Sequence, residues 1–366
     1  MKILLFSQVV WNFYRGRRHE TTLMLSKSGN HCVYVNPVRY KNWEKSSIRL
    51  HNVSKNEIHK NMTVIERNIK LRKSFLVLIY ENINNVRYIK KEKPALVISF
   101  DHLMSLAPCI YCKLKKIKFI FDVTDNWERV ETSKLRALYW KLIAKPIIGL
   151  LSYAVTSTSH KQAKSFKKYN SSVYIIPNGK SNEFIAETQK YINKKCENKV
   201  NFVANLRDWY DFDLLFDVFN EFPDLQLNIY GKGDLYNYLL VQSKQYDNIN
   251  ILGNIESKYI PKLMAESLFG ILPLKSGKIN DSICPIKLFD YWAAKKVIVG
   301  YPTYELKIIG KDCLMFARNK EEYIKNIQLI LNNDKLRNDL GETGYQKIKN
   351  IYNYDKIIVN FEEIIS

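Results

Sequence analysis

The stretch Cys284-Pro285-Ile286-Lys287-Leu288-Phe289-Asp290 sets a proline, a lysine and a carboxylate at helical spacing. Proline suits the first turn of a helix, where its missing N–H would have no intrahelical partner. The free N–H groups of that turn, at Ile286 and Lys287, make a site for an anion. The Lys287 ammonium belongs to the same turn and can meet a phosphate. Asp290 follows three residues later on the same face, and its carboxylate can accept from ribose hydroxyls. A phosphate partner and a ribose partner together describe a nucleotide. Read plainly, the same residues are an amphipathic helix with two exposed charges.

A second constellation lies in Phe121-Asp122-Val123-Thr124-Asp125-Asn126-Trp127. It follows a strand-like run, at the carboxyl end where open α/β sheets hold their ligands. A carboxylate there can act as base toward a hydroxyl. Asp125 is the best placed, with Asp122 behind it, and Asp101-His102 is the rival pair. For each, the plain alternative is a helix cap or a turn. Arg15, Arg17 and Arg18 open the first helix, where cations oppose the helix dipole. They read as an acceptor-side or diphosphate contact, or equally as a solvated basic turn. Asp211-Phe212-Asp213 has the D-x-D form of a metal site, but acids in a first helical turn simply complement the dipole. No H-E-x-x-H, zinc spacing or Walker A sequence is present, and no metal is expected. Cys109-Ile110-Tyr111-Cys112 has redox spacing without a second pair, so it reads as buried thiols on a helix.

The elements that must position these residues alternate. Strand-like runs fall at 2–6, 32–35, 64–66, 95–99, 119–122, 154–156 and 173–176, with helical patterns at 17–28, 75–91, 103–115, 134–151 and 160–168. The alternation restarts with strands at 200–203, 225–230, 249–252, 270–272, 297–299 and 313–316. Its helices are expected at 214–221, 235–244, 259–266, 286–294, 320–331, 336–352 and 354–365. Continuous apolar strands between helices imply parallel sheets covered on both faces. The expected organisation is a domain over 1–180, a polar linker over 181–198, a second domain over 199–350 and a closing helix over 351–366. Each domain is a Rossmann-like, doubly wound α/β unit, and the two are expected to face each other across a cleft.

At this point the order of motifs resembles a family. The Pro285–Val299 stretch, P-x-K-x-x-[ED]-Y-x-A, is similar to the donor-site helix of GT-B glycosyltransferases of group 1 (family 4) and of xanthan-type glucuronosyltransferases. Ile176-Pro177-Asn178-Gly179 resembles the family's interdomain turn. Gly231-Lys232-Gly233, Asn250-Ile251-Leu252-Gly253 and Leu272-Pro273-Leu274 resemble later parts of its donor domain. The resemblance covers about residues 172–366, and the first half matches only in outline. It implies transfer of a sugar from a nucleotide-diphosphate sugar to a glycan or lipid-linked glycan, with no cofactor beyond that co-substrate. It also implies donor contacts from Arg207, Gly231, Lys232, Gly233, Pro285, Ile286, Lys287 and Asp290. Many retaining members carry a Glu eight residues before the ribose carboxylate. Here that position is Ser282, with Asp281 out of phase, which leans toward inversion with Asp125 as base. In some retaining members a His placed like His102 contacts the donor.

Charge separates the halves. Of 57 Lys+Arg and 36 Asp+Glu, residues 1–180 hold 33 and 11, so the whole excess of +21 lies in the first half. Such a field is a statement about partners: nucleic acid, an anionic membrane surface and a polyanionic acceptor would all be attracted, and the expected partner is the membrane surface. No run approaches the roughly 20 apolar residues of a membrane span, and no signal peptide is seen. The expectation is a cytoplasmic protein, peripheral on the inner face of the membrane, and the family resemblance implies a place in bacterial capsule, exopolysaccharide or O-antigen synthesis. Two rival functions remain: a nucleotide-sugar 2-epimerase of the same fold, or a nucleic-acid binder using the basic half. No nucleic-acid fingerprint supports the latter.

Overall fold

The computed structural model describes residues 1–12, 16–37, 39–40, 58–67, 70–71, 75–125, 133–192, 198–277 and 279–365. The chain divides into two compact units, Met1–Pro177 with Ile358–Ser366, and Asn178–Ile357.

The first unit contains strands β1 (Lys2–Phe6), β2 (His31–Val35), β3 (Arg39–Tyr40), β4 (Met62–Ile65), β5 (Lys70–Leu71), β6 (Leu96–Ser99), β7 (Lys118–Val123), β8 (Ala154–Ser157) and β9 (Val173–Ile175). Seven of them form one sheet in the order β4-β2-β1-β6-β7-β8-β9, while β3 pairs with β5. Every pairing in the seven-stranded sheet is parallel. The central strands are buried residue after residue, because helices cover both faces. Phe6 lies opposite Ser99, and Ser99 opposite Phe121. Ser7 and Asp101, just past their strands, and Asp122, near the end of β7, therefore share the carboxyl end of the sheet.

The second unit contains β10 (Lys199–Val203), β11 (Gln226–Tyr230), β12 (Ile249–Gly253), β13 (Gly270–Leu272), β14 (Ile298–Gly300) and β15 (Leu314–Phe316). These form two parallel three-stranded sheets, β10-β11-β12 and β13-β14-β15, where the sequence implies one. The reason is local. The Asn201 N–H donates to Ser267 Oγ at 3.1 Å, and Asn201 Nδ2 to Leu263 O at 2.8 Å, so side chains stand where a ladder between β10 and β13 would run. The two strands are still neighbours, since the Leu268 N–H donates to Lys199 O at 2.8 Å. The strand order reverses between them, which is where open α/β sheets bind ligands.

Two boundaries differ from the sequence expectation. Residues 181–198 are not a plain linker: Asn182–Gln189 is a helix of the second unit, capped by Ser181 Oγ accepting the Phe184 N–H, with Ile185 and Thr188 buried. Two buried positions in a polar stretch are too few to show as a period. The division falls between Pro177 and Asn178, ahead of that helix. The closing helix, Tyr354–Ile365, starts in the second unit and ends in the first. A further helix, Tyr304–Ile309, was not apparent in the sequence.

Candidate active site

Pro285 is the N-cap of the helix Ile286–Ala293, with extended backbone at φ −73° and ψ 126°. The residue before it is anchored: Asn178 Nδ2 donates to Cys284 O at 2.8 Å. The same turn is held from its other side. The Lys180 N–H donates to Tyr352 O, and the Tyr354 N–H to Lys180 O, each at 3.0 Å. Gly179 is required here, because a Cβ at that position would lie 2.1 Å from Tyr352 O.

This clamp delivers Lys180 to the donor helix. Its Nζ lies 2.5 Å from Asp290 Oδ1, with the two side chains only 15% and 10% exposed. The ammonium also stacks on Phe184, 4.2 Å from the ring centroid. Asp290 is thus a buried, ion-paired carboxylate rather than a solvated charge. Sequence reasoning singled out Asp290 but missed Lys180. The signal was its place directly after Asn178-Gly179.

Lys287 Nζ sits 5.2 Å from the Tyr210 ring centroid and 5.6 Å from that of Phe202. Phe202 lies on β10, so the ammonium stands over the end of the strand at the reversal point. Cation–π contact steers it there. The Tyr210 ring is 6.3 Å from that of Trp209, which carries Arg207 on its face at 5.5 Å. Arg207 Nη1 lies 3.2 Å from Asp234 Oδ2, and Asp234 is 72% exposed. A pair so open to water holds its cation weakly, leaving Arg207 able to exchange Asp234 for a phosphate. Arg207 Nε is buried without a hydrogen-bond partner. Lys287, Arg207, the first-turn N–H groups at Ile286 and Lys287, and Asp290 therefore belong to one locality of the second unit.

Gly231 and Gly233 have a packing role that the sequence did not announce. A Cβ on Gly231, at φ +128°, would lie 1.8 Å from Ala204 O, and one on Gly233 2.2 Å from Leu206 O. They let the loops after β10 and β11 zip together, through the Ala204 N–H to Tyr230 O at 2.9 Å and the Leu206 N–H to Lys232 O at 3.1 Å. The glycines shape the loop carrying Arg207. Lys232 between them lies over the Tyr236 ring, 5.5 Å from its centroid.

The acids of D-x-D are accounted for within the fold. Asp211 caps the helix Phe212–Asn220 by accepting the Leu214 N–H, and Asp213 accepts from the Tyr238 hydroxyl at 2.8 Å. Among the described residues, no three His, Cys, Asp or Glu side chains are grouped to hold a metal. Asp281 accepts the Tyr304 N–H at 3.1 Å, and buried Ser282 donates to Ile279 O at 2.8 Å.

In the first unit the expected acids part ways. Asp122 is fully buried, and Arg17 Nε lies 3.0 Å from its Oδ2. Arg17 Nη2 reaches Oδ1 at 3.2 Å and its Nη1 donates to Pro177 O at 3.0 Å. This corrects two expectations: Arg17 is committed to a structural ion pair rather than a bound anion, and Asp122 is no base. Asp101 is also committed, with Oδ1 accepting the Leu103 and Met104 N–H groups at 2.8 and 3.1 Å. His102 is buried edge-on to Trp140, ring centroids 5.5 Å apart. The rival pair is therefore a capping turn and a core histidine. Asp125 alone among these acids keeps an accessible carboxylate, 42% exposed. Thr124 Oγ1 donates to its Oδ2 at 3.1 Å and accepts from Arg18 Nη2 at 3.1 Å, while Arg18 itself lies 3.9 Å from that carboxylate. Arg18 thus positions Asp125 rather than an anion. Arg15, Asn126 and Trp127 lie outside the described residues.

Cys109 and Cys112 are buried thiols, pushed up to about 12 by burial. Cys109 lies against Ile148 O and Ser152 Oγ, at 3.9 and 3.8 Å. A structural place on a helix is what the sequence suggested.

Comparison with known proteins agrees with this architecture. Residues 211–363 match the family model described as glycosyl transferase-like. The chain is 26% identical over 386 aligned positions to the uncharacterized glycosyltransferase MJ1069 of Methanocaldococcus jannaschii, covering 94% of this chain and 92% of that one. Among solved structures it resembles sucrose-phosphate synthase from Thermosynechococcus elongatus, with TM-score 0.74 at 14% identity over 99% of this chain and 98% of that one. It also resembles HepE from Anabaena in complex with UDP-glucose, with TM-score 0.69 at 13% identity over 99% and 98%. A third likeness is to WaaG, a glycosyltransferase involved in lipopolysaccharide biosynthesis, with TM-score 0.68 at 13% identity over 100% and 99%. At these identities the solved structures establish the shared GT-B fold.

Proposed function

We propose that this chain, a glycosyltransferase of GT-B fold, moves a sugar from a nucleoside-diphosphate sugar to a hydroxyl of a glycan or lipid-linked glycan in bacterial surface polysaccharide synthesis. The observation that carries the donor half is the placement of Lys287 at the head of the helix Ile286–Ala293, over the end of β10 where the strand order reverses. A helix N-terminus and an ammonium at that point suit a diphosphate. That HepE is solved with UDP-glucose supports the same reading, and the role of WaaG in lipopolysaccharide biosynthesis supports the surface-polysaccharide setting.

In this reading Lys287, Arg207 and the helix N-terminus neutralise charge that grows on the departing diphosphate. Cations and N–H groups aimed at developing charge are an effective form of stabilisation, and the transfer needs no metal. Asp290, held by Lys180, takes the ribose hydroxyls. Transfer inverts the anomeric centre: Asp125 takes the proton from the acceptor hydroxyl, that oxygen bonds to the anomeric carbon, and the nucleoside diphosphate leaves with the electrons of the broken bond. Asp125 is favoured because it is the exposed carboxylate among the candidate acids. Inversion also agrees with Ser282 standing where retaining relatives carry an acid. The basic first half works against the anionic inner face of the membrane.

The test is to incubate the purified protein with a panel of nucleotide sugars and lipid-linked glycan acceptors, with and without chelator, and to read the product linkage by NMR. An inverted linkage formed with chelator present is expected. Sugar released or isomerised without any acceptor would favour the epimerase instead.

A further inference from the structure

We propose that the outer face of the helical segment 134–151 docks on an anionic lipid bilayer. The proposal deepens the membrane reading above, rests on it, and names the surface responsible.

The segment runs as α-helix Lys134–Tyr139, π-helix Trp140–Ala144 and α-helix Lys145–Leu151. Its inner side is core. Trp140, Ala144 and Ile148 are buried, and the Trp140 ring packs on Phe121 and Phe166 at 5.6 and 6.3 Å. Its outer side is apolar as well. Leu135 is 80% exposed, Leu138 52%, Leu142 61% and Ile143 47%. Leu135, Leu138 and Leu142 follow at intervals of three and four, so they share one helical face. A single exposed leucine is ordinary, whereas several on one face mark an interaction surface. The sequence offers Leu138–Leu151, with Lys141 and Lys145, as an amphipathic contributor to membrane contact, and an ordinary core-facing helix as the safer alternative; the structure shows apolar residues on both sides.

Charge decides the partner. Lys134 and Lys141 are exposed beside these leucines. Residues 132–182 contain nine Lys or Arg and no Asp or Glu. The neighbouring helix His160–Phe166 packs through Phe166 against Trp140 and is followed by exposed Lys167 and Lys168. Lys145 is not part of the face, since it is buried with Nζ 5.1 Å over the Phe166 ring. Leucines rimmed by lysines match a bilayer that offers acyl chains beneath anionic head groups. A second copy of the same face would bring like charge against like charge.

The test is flotation of the full-length protein with phosphatidylcholine vesicles, with and without phosphatidylglycerol, in the absence of nucleotide sugar. Binding is expected only to the phosphatidylglycerol vesicles and is expected to weaken in high salt. The variant L135Q/L138Q/L142Q is expected to lose vesicle binding about tenfold or more with an unchanged thermal midpoint, because its side chains are exposed. The variant K134Q/K141Q checks the electrostatic part without touching an apolar residue, and is expected to weaken binding to the anionic vesicles. Absence of binding to anionic vesicles, or undiminished binding by both variants, would overturn the proposal. So would a dimer in light scattering that the leucine variant dissolves without any vesicle binding. The readout uses no donor, so its failure leaves the donor site standing, and failure of the donor site leaves it standing in turn.

Discussion

Lys180 Nζ lies 2.5 Å from Asp290 Oδ1, joining the turn at the start of the second unit to the helix that opens at Pro285. The carboxylate assigned to the ribose is therefore held in place by its own cation. Substituting Asp290→Asn leaves a neutral acceptor and removes the partner of Lys180. The expected result is weaker nucleoside-diphosphate binding and loss of discrimination between ribose and 2′-deoxyribose, measured by calorimetry with both forms. Equal discrimination in the variant would take the ribose away from Asp290.

Lys287→Ala is expected to weaken donor binding and turnover together. A hydrogen bond to a charged group is worth about 1.5–3 kcal/mol, or about ten- to hundredfold in Kd. Lys287 is partly exposed, so its removal should leave the thermal midpoint of the unliganded protein nearly unchanged. Calorimetry and steady-state kinetics on the same preparation check both parts.

Asp125→Asn is expected to keep donor binding and lower kcat by about 10²–10⁴-fold, the usual worth of a general base. Arg18→Met should produce a smaller loss, because Arg18 orients the carboxylate directly and through Thr124. Transfer that survives Asp125→Asn would exclude the inverting scheme with this base.

Arg17→Ala is expected to act on stability rather than on the donor. Removing one partner of a buried pair strands the other charge, at a cost of about 3–5 kcal/mol. The Arg17 and Asp122 side chains are 4% and 0% exposed, so solvent cannot step in. Urea denaturation should show the loss in full. A shift below about 1 kcal/mol, the range of exposed pairs, would mean that the pair is open to water.

Cys109 and Cys112 are expected to resist alkylation at pH 8 in the folded protein and to label after denaturation. The thiolate is the reactive form, and burial raises both thiols to about 12. The thiolate fraction therefore stays small until the pH nears that value. Rapid labelling of either residue at pH 8 would contradict their placement.

The strands and most helices were legible because apolar runs separated by helical periods have few other folded solutions. Pro285, Lys287 and Asp290 were legible for the same kind of reason, since helix-start chemistry is local. What the sequence hid was pairing across distance. Nothing near Asp122 announces that Arg17, 105 residues earlier, will neutralise it. Nothing near Asp290 announces Lys180. The packing role of Gly231 and Gly233 was hidden because a close backbone crossing and a phosphate loop demand the same residue. The helix Asn182–Gln189 was hidden by its polarity.

The most direct test of the account is a thermal-shift titration of the purified protein with a panel of nucleoside diphosphates, repeated on Lys287→Ala. A ligand that binds only the folded state raises apparent stability by mass action. Stabilisation by at least one diphosphate is expected, strongly reduced in the variant. Stabilisation by none, or equal stabilisation of both proteins, would contradict the donor site built on the helix that opens at Pro285.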